Sequence, residues 1–205
     1  MEKQVIKGED GKEYVMSEKK PLTRKPWFWA IIIIIVILLA GGLGTIAYQK
    51  HKATEEAAAL KAKQDRFNDE EKNFSDYSYK VGNKLRSMDN KISKLWYGAI
   101  YNDNGVTVDG KNYTDFNKAI SAQFDVWNEN GDTDTLNSNA KYLASNYKRM
   151  ETNVTSSSRE SFAKDKKIYN DIKSYYTLVT SPSGTYATYS SNTTNANNKL
   201  STDLQ

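Results

Sequence analysis

The chain has 205 residues, 38% of them apolar, no cysteine and a net charge of +4. That length leaves room for one outer domain of ordinary size, and the missing cysteine excludes disulfides, a thiol nucleophile, thiolate metal sites and lipidation at a cysteine. Charge is spread evenly, seven basic and five acidic side chains up to residue 26 and 22 against 20 from residue 49 onward, which is no nucleic-acid signature.

Residues 1–26 are hydrophilic, carry the turn dipeptide Asp10-Gly11, and end in the basic cluster Lys19, Lys20, Arg24 and Lys25 between Pro21 and Pro26. Then Trp27 to Tyr48, WFWAIIIIIVILLAGGLGTIAY, runs 22 residues without a charge. As a helix it measures about 33 Å, enough for a hydrocarbon core of about 30 Å. The expectation is an uncleaved transmembrane anchor: the charged region before it is long, the apolar run exceeds that of a signal peptide, and no Ala-x-Ala site follows. Five Lys/Arg in the 15 residues before the run against four in the 15 after it favour a cytoplasmic amino terminus and an extracellular carboxyl-terminal domain in a single-pass topology. Trp27, Phe28, Trp29 and Tyr48 suit the headgroup layer, and Ala40, Gly41 and Gly44 form a small-residue face for another helix.

Residues 49–72 are rich in Ala, Lys, Glu and Gln, which lose least on entering a helix, and read as a solvated helical stalk. Leu60, Phe67, Phe74, Val81, Met88 and Leu95 recur at one-heptad intervals, but the second seam position fills only from Tyr77, through Leu85, Ile92 and Ala99. One apolar residue per heptad cannot hold a coiled coil, so a packed first helix is expected over about 73–101. Asn104-Gly105 and Asp109-Gly110 flank Val106-Thr107-Val108 and predict a small hairpin, after which Thr114 or Asp115 can cap a helix. That second helix, from about Asp115 to Asn130, carries Phe116, Ala119, Ile120, Phe124 and Trp127 on one face and stops at Gly131. A third, capped at Asp132 to Asp134, presents Leu136, Ala140, Leu143, Tyr147, Met150 and Val154. A fourth, with Ser157 and Glu160 at capping-box spacing, presents Phe162, Tyr169, Ile172, Tyr176 and Val179. Ser181-Pro182-Ser183-Gly184 breaks the chain, and Tyr186, Tyr189, Ala196, Leu200 and Leu204 outline a fifth. The fold class expected is all-α: one transmembrane helix, extended by the stalk into an antiparallel bundle of four or five helices over 73–205, with an aromatic core.

The chemistry-bearing residues nominate no catalytic site, cofactor or metal centre. His51 is the only histidine and sits on the stalk with nothing to orient it as a base. Serines are plentiful without a Gly-x-Ser-x-Gly turn, and no glycine-rich phosphate loop follows a strand. An enzyme is therefore not expected. Asn128, Asn130, Asp132 and Asp134 surround Gly131 but lack the spacing and distal Glu of a calcium loop, and a turn with a helix cap accounts for them. Lys80, Lys84, Lys91 and Lys94 line one flank of the first helix, where they could meet a polyanionic wall polymer or lipid headgroups. Tyr79, Tyr97, Tyr113 and Tyr175 lie off or at the edge of the apolar faces, which makes them candidates for a recognition surface.

The run DGKEYVMSEKKPLTRKPWFWAIIIIIVI (Asp10 to Ile37) resembles the leader of small single-pass surface proteins of low-GC Gram-positive bacteria, in which a "KKP…K.WFW" entry into the anchor recurs. LWYGAIYNDNGVTVDGKNYTDFNKAI (Leu95 to Ile120) is similar to a segment of membrane-anchored or lipid-anchored envelope proteins of that group, some prophage-associated. The resemblance implies envelope location and an extracytoplasmic role, and transfers no functional residue. Two functions are expected: a membrane-tethered binding module, superinfection exclusion by a prophage being one form, or a structural or accessory subunit of an envelope complex. The partners implied are the lipid bilayer and a protein or envelope polymer, with self-association through anchor or stalk and no nucleic acid.

Overall fold

The computed structural model describes residues 4–7, 13–16 and 26–204, with side chains described over 51–204. The expected tail apart from residues 4–7, 13–16 and 26, and the side chains of the expected anchor with its aromatic ends and small-residue face, fall outside the described residues. The chain divides into two units, 1–57 and 58–205. In the first, β1 (Gln4–Lys7) pairs antiparallel with β2 (Glu13–Met16), Gln4 opposite Met16. Helix α1 is assigned over Pro26–Tyr101. Among the residues with described side chains, no helix is long and apolar enough to cross a membrane.

The second unit is all-α apart from one small hairpin. Its helices are the last part of α1, α2 (Phe116–Glu129), α3 (Asp132–Asn153), α4 (Arg159–Thr180) and α5 (Tyr186–Asp203), with β3 (Val106–Val108) and β4 (Lys111–Tyr113) between α1 and α2. Both seam positions of α1 are buried from Phe74 on: Phe74, Val81, Met88 and Leu95 in one row, Leu85, Ile92 and Ala99 in the other. Glu70 of α1 pairs with Arg149 and Lys84 with Asp132, so α3 runs antiparallel to α1. Glu71 meets Ser161 and Asp89 meets Tyr175, so α4 runs parallel to it. Trp96 packs on Tyr189 and Arg86 bonds Ser201, so α5 runs antiparallel again. Helix α2 starts against Trp96 through Phe116 and continues into α3 across Gly131. The bundle therefore has four limbs, the second bent at a glycine whose φ of 78° a side chain would disfavour.

Three expectations need correction. The stalk was expected to stay solvated to residue 72, and the exposed stretch ends earlier: residues 51–63 are exposed, Gln64 bonds Ser157, and Phe67 is buried edge-on against Phe162 at 6.4 Å. One apolar residue per heptad cannot close a two-helix seam, but here the α3–α4 turn supplies the other wall. The capping box at Ser157 and Glu160 does not form, because Ser157 donates to Gln64 and α4 starts at Arg159, with the Ser158 hydroxyl accepting from the Thr155 N–H at 2.9 Å. Asp132 to Asp134 do not cap α3, whose N-cap is Gly131; Asn130 Oδ1 accepts the Asp132 N–H instead, at 3.0 Å. The cap at Asp115 does form, its carboxylate accepting the N–H groups of Asn117 and Lys118 at 2.8 and 3.2 Å.

The core is aromatic. Tyr147 stacks on Tyr169 at 4.2 Å and on Phe162 at 5.4 Å, with Phe74 tilted against it at 6.3 Å. Trp96 holds the other end between Phe116 and Tyr189, and offset stacks of this kind contribute roughly 0.5–1.5 kcal/mol beyond burial. Helix α5 is well formed despite its Asn, Ser and Thr, because it buries Tyr189, Thr193 and Leu200 and has Thr185 as a side-chain cap.

Candidate functional site

The end of the bundle built from the last turns of α1, the β3–β4 hairpin, the first turns of α2 and the α4–α5 connection gathers a tyrosine cluster of which Tyr97 and Tyr101 lie outside the core and Tyr186 packs against it. Tyr97 and Tyr101, four residues apart, lie on one face of α1 with ring centroids 4.7 Å apart; Tyr186, opening α5, packs edge-on to both, at 5.8 and 6.5 Å. Tyr97 is 50% and Tyr101 61% exposed, and the adjoining Ile100 46%. Tyrosine presents a large rigid face at small entropy cost, which suits a contact surface.

Beside this cluster, between α2 and the α4–α5 connection, an open groove of about 560 Å³ is lined by Trp96, Phe116, Ile120 and Phe124 on the apolar side and by Asn117, Ser121, Thr180 and Ser183 on the polar side, with Pro182 and Gly184. No charged residue lines it. Trp96 is buried, and among the described residues its indole Nε1–H finds no acceptor. The hairpin sits close because α1 has a glycine there: a Cβ on Gly98 would stand 2.4 Å from Val106 Cγ1. Asp109 and Gly110 make the turn with φ of 45° and 72°, so both central residues are left-handed, as a two-residue hairpin needs. A second groove, about 410 Å³, opens between α1, α2 and the hairpin and does carry charge, with Lys91 and Asp109 at its rim.

The expected recognition residues are scattered. Tyr97 belongs to the exposed cluster. Tyr79 is 46% exposed, but its hydroxyl donates to the Leu204 carbonyl and so ties α1 to the end of α5. Tyr113 is half-buried on β4, opposite Val106. Tyr175 is no surface residue: it is 1% exposed, and its hydroxyl donates to buried Asp89 at 2.9 Å. It occupies the core face of α4 one turn from Ile172 and Val179. The lysine flank is equally divided. Lys80 pairs with Asp76 at 2.6 Å and overlies the Tyr77 ring, and Lys84 is committed to Asp132, whose carboxyl it holds below the usual carboxylate range. Lys91 and Lys94 are exposed. Asn130 and Asp132, weighed above as cation ligands, are engaged in the helix start and in the Lys84 pair. Among the described residues, no three His, Cys, Asp or Glu side chains group to hold a metal ion, and exposed His51 faces Glu55 at 3.5 Å.

Sequence reasoning did not single out Tyr101 or Tyr186 for this surface. The i,i+4 spacing of Tyr97 and Tyr101 was available, but their meeting with Tyr186 depends on how α5 packs. It also did not find the acidic contacts between helices. Asp165 of α4 faces Glu71 of α1, and its carboxyl is pushed up to about 7, mainly by burial and then by the Glu71 charge. Asp171 of α4 faces Asp203 of α5, which also pairs with Lys167; burial and Asp203 raise Asp171, while Asp203 is lowered, foremost by the hydrogen bond from Asp171. Asp165 and Glu71 lie 94 positions apart and Asp171 and Asp203 32, so no local pattern announces either pair.

Comparison with known protein families, with curated proteins and with solved structures finds no match for this chain.

Proposed function

We propose that this chain is a membrane-anchored extracytoplasmic binding protein of a bacterial envelope, in which Trp27 to Tyr48 is an inside-to-outside anchor, 49–63 a solvated helical stalk and the helical unit the binding part. The observation that carries the binding role is the exposed pair Tyr97 and Tyr101, packed on half-buried Tyr186, next to an uncharged groove with aromatic lining. An aromatic surface of this sort is expensive to leave in water and is the composition enriched where proteins meet partners. The anchor rests on the uncharged 22-residue run and its aromatic ends. Superinfection exclusion by a prophage product is the form of this role that the sequence resemblance favours.

The test is expression in a susceptible host with a phage panel. Reduced DNA entry or plaque formation for at least one phage, lost on Tyr97→Ala/Tyr101→Ala substitution, supports the reading. Unchanged adsorption, injection and plaque counts across the panel overturn the exclusion form, and recovery of the chain in the alkali-soluble fraction overturns the anchor.

The small-residue spacing of Ala40, Gly41 and Gly44 favours a second reading, a structural or accessory subunit of an envelope complex. Crosslinking in intact cells distinguishes it: recovery of monomer alone counts against a subunit role.

A further inference from the structure

We propose that the groove between α2 and the α4–α5 connection binds a neutral saccharide. This rests on the reading of the chain as an extracytoplasmic binding module and names the ligand class for it.

The lining carries the argument. A groove of about 560 Å³ falls within the range of about 300–1,000 Å³ occupied by small-ligand sites. Its apolar wall holds the half-buried rings of Phe116 and Phe124, and an aromatic face attracts the weakly positive C–H groups that a pyranose presents on one side. Its polar wall offers Asn117 and Ser121, one turn apart on α2, with Ser183 from the connection. These are an amide and hydroxyls, able both to donate to and accept from a sugar hydroxyl. The Asn117 side chain is exposed and makes no hydrogen bond among the described residues; only its backbone N–H is engaged, donating to the cap at Asp115.

Two features narrow the class. No lysine, arginine or carboxylate lines the groove, so neither a phosphorylated nor a cationic ligand would find a counter-charge there. The wall facing the rings is polar, and a purely apolar ligand would leave its amide and hydroxyls unpaired, whereas a sugar has one face for each wall.

The experiment uses the full chain in lipid nanodiscs, titrated calorimetrically with chitotriose, maltotriose and, as the charged arm, trigalacturonic acid. The expected result is a dissociation constant in the millimolar range or tighter for at least one neutral trisaccharide, with the acidic one about tenfold weaker or worse. Ser121→Trp, which fills the groove from an exposed position, should abolish binding, and Asn117→Ala should weaken it several-fold without shifting the melting temperature. No heat with either neutral sugar at tens of millimolar overturns the proposal. So does equal binding of the acidic sugar, or binding unchanged in both variants. If phage exclusion is observed while no sugar binds, the ligand assignment falls alone. If sugar binds and neither the phage nor the fractionation test succeeds, the envelope reading falls and the site stands.

Discussion

At the scale of single residues, buried polar groups set the most specific constraints. Asp89 is 8% exposed inside an aromatic core and is held by Tyr175 at 2.9 Å and Ser93 at 3.4 Å. Tyr189 also lies near it without a hydrogen bond of good geometry, and both tyrosine hydroxyls are pushed above their ordinary range, first by burial and then by the Asp89 charge. Tyr175→Phe removes the shorter bond and leaves the carboxylate poorly satisfied, a loss of about 1–3 kcal/mol in chemical denaturation. Asp165 gives a pH-dependent counterpart. Its folded-state value near 7 lies above the ordinary 3.8, so the folded chain keeps a proton that the unfolded chain releases. That contribution is complete below about pH 4 and is lost as pH rises toward and through 7. Asp165→Asn should therefore raise the melting temperature relative to wild type at pH 8 and change it little at pH 4; parallel melting curves from pH 4 to 8 would show that Glu71 and Asp165 do not share a proton.

At the scale of elements, close approach decides where the aromatic end forms. The hairpin reaches α1 only because Gly98 lacks a Cβ, and Gly98→Ala puts a methyl 2.4 Å from Val106. We expect a destabilisation of about 1–3 kcal/mol, and chemical-shift changes concentrated in the hairpin and the first turns of α2 rather than near Phe67. Uniformly small shifts would mean that the hairpin yields freely and does not position the groove. The helices themselves were legible from their periodicity, and their boundaries from Gly131, the Ser-Pro-Ser-Gly break and the cap at Asp115. What misled the reading of the helix starts was competition for the same side chains. Ser157 bonds Gln64, 93 residues away, and a hydroxyl with a tertiary partner is not free to cap its own helix.

At the scale of the helical unit, α5 is the limb with the weakest local signal and a large share of the closure. It supplies Tyr189 against Trp96, Leu200 beside Gly82, and the Asn197 and Ser201 partners of Arg86. A chain ending at residue 184 should lose cooperative thermal unfolding altogether, since α1 and α4 would each expose part of their apolar faces; a sharp transition in that variant would show that three limbs suffice.

The sequence by itself determined the helical class, the heptad rows of α1, the aromatic character of the core and the positions of the turns, because each depends on neighbours within about four residues or on composition. Tertiary structure alone decided that the packed region begins near Gln64, that Tyr175 faces Asp89 in the core rather than solvent, and that Tyr97, Tyr101 and Tyr186 share one surface beside the groove. Those outcomes depend on which limbs run alongside which, and residues separated by some 80 to 90 positions carry no mutual signal until the chain brings their side chains within a few ångströms.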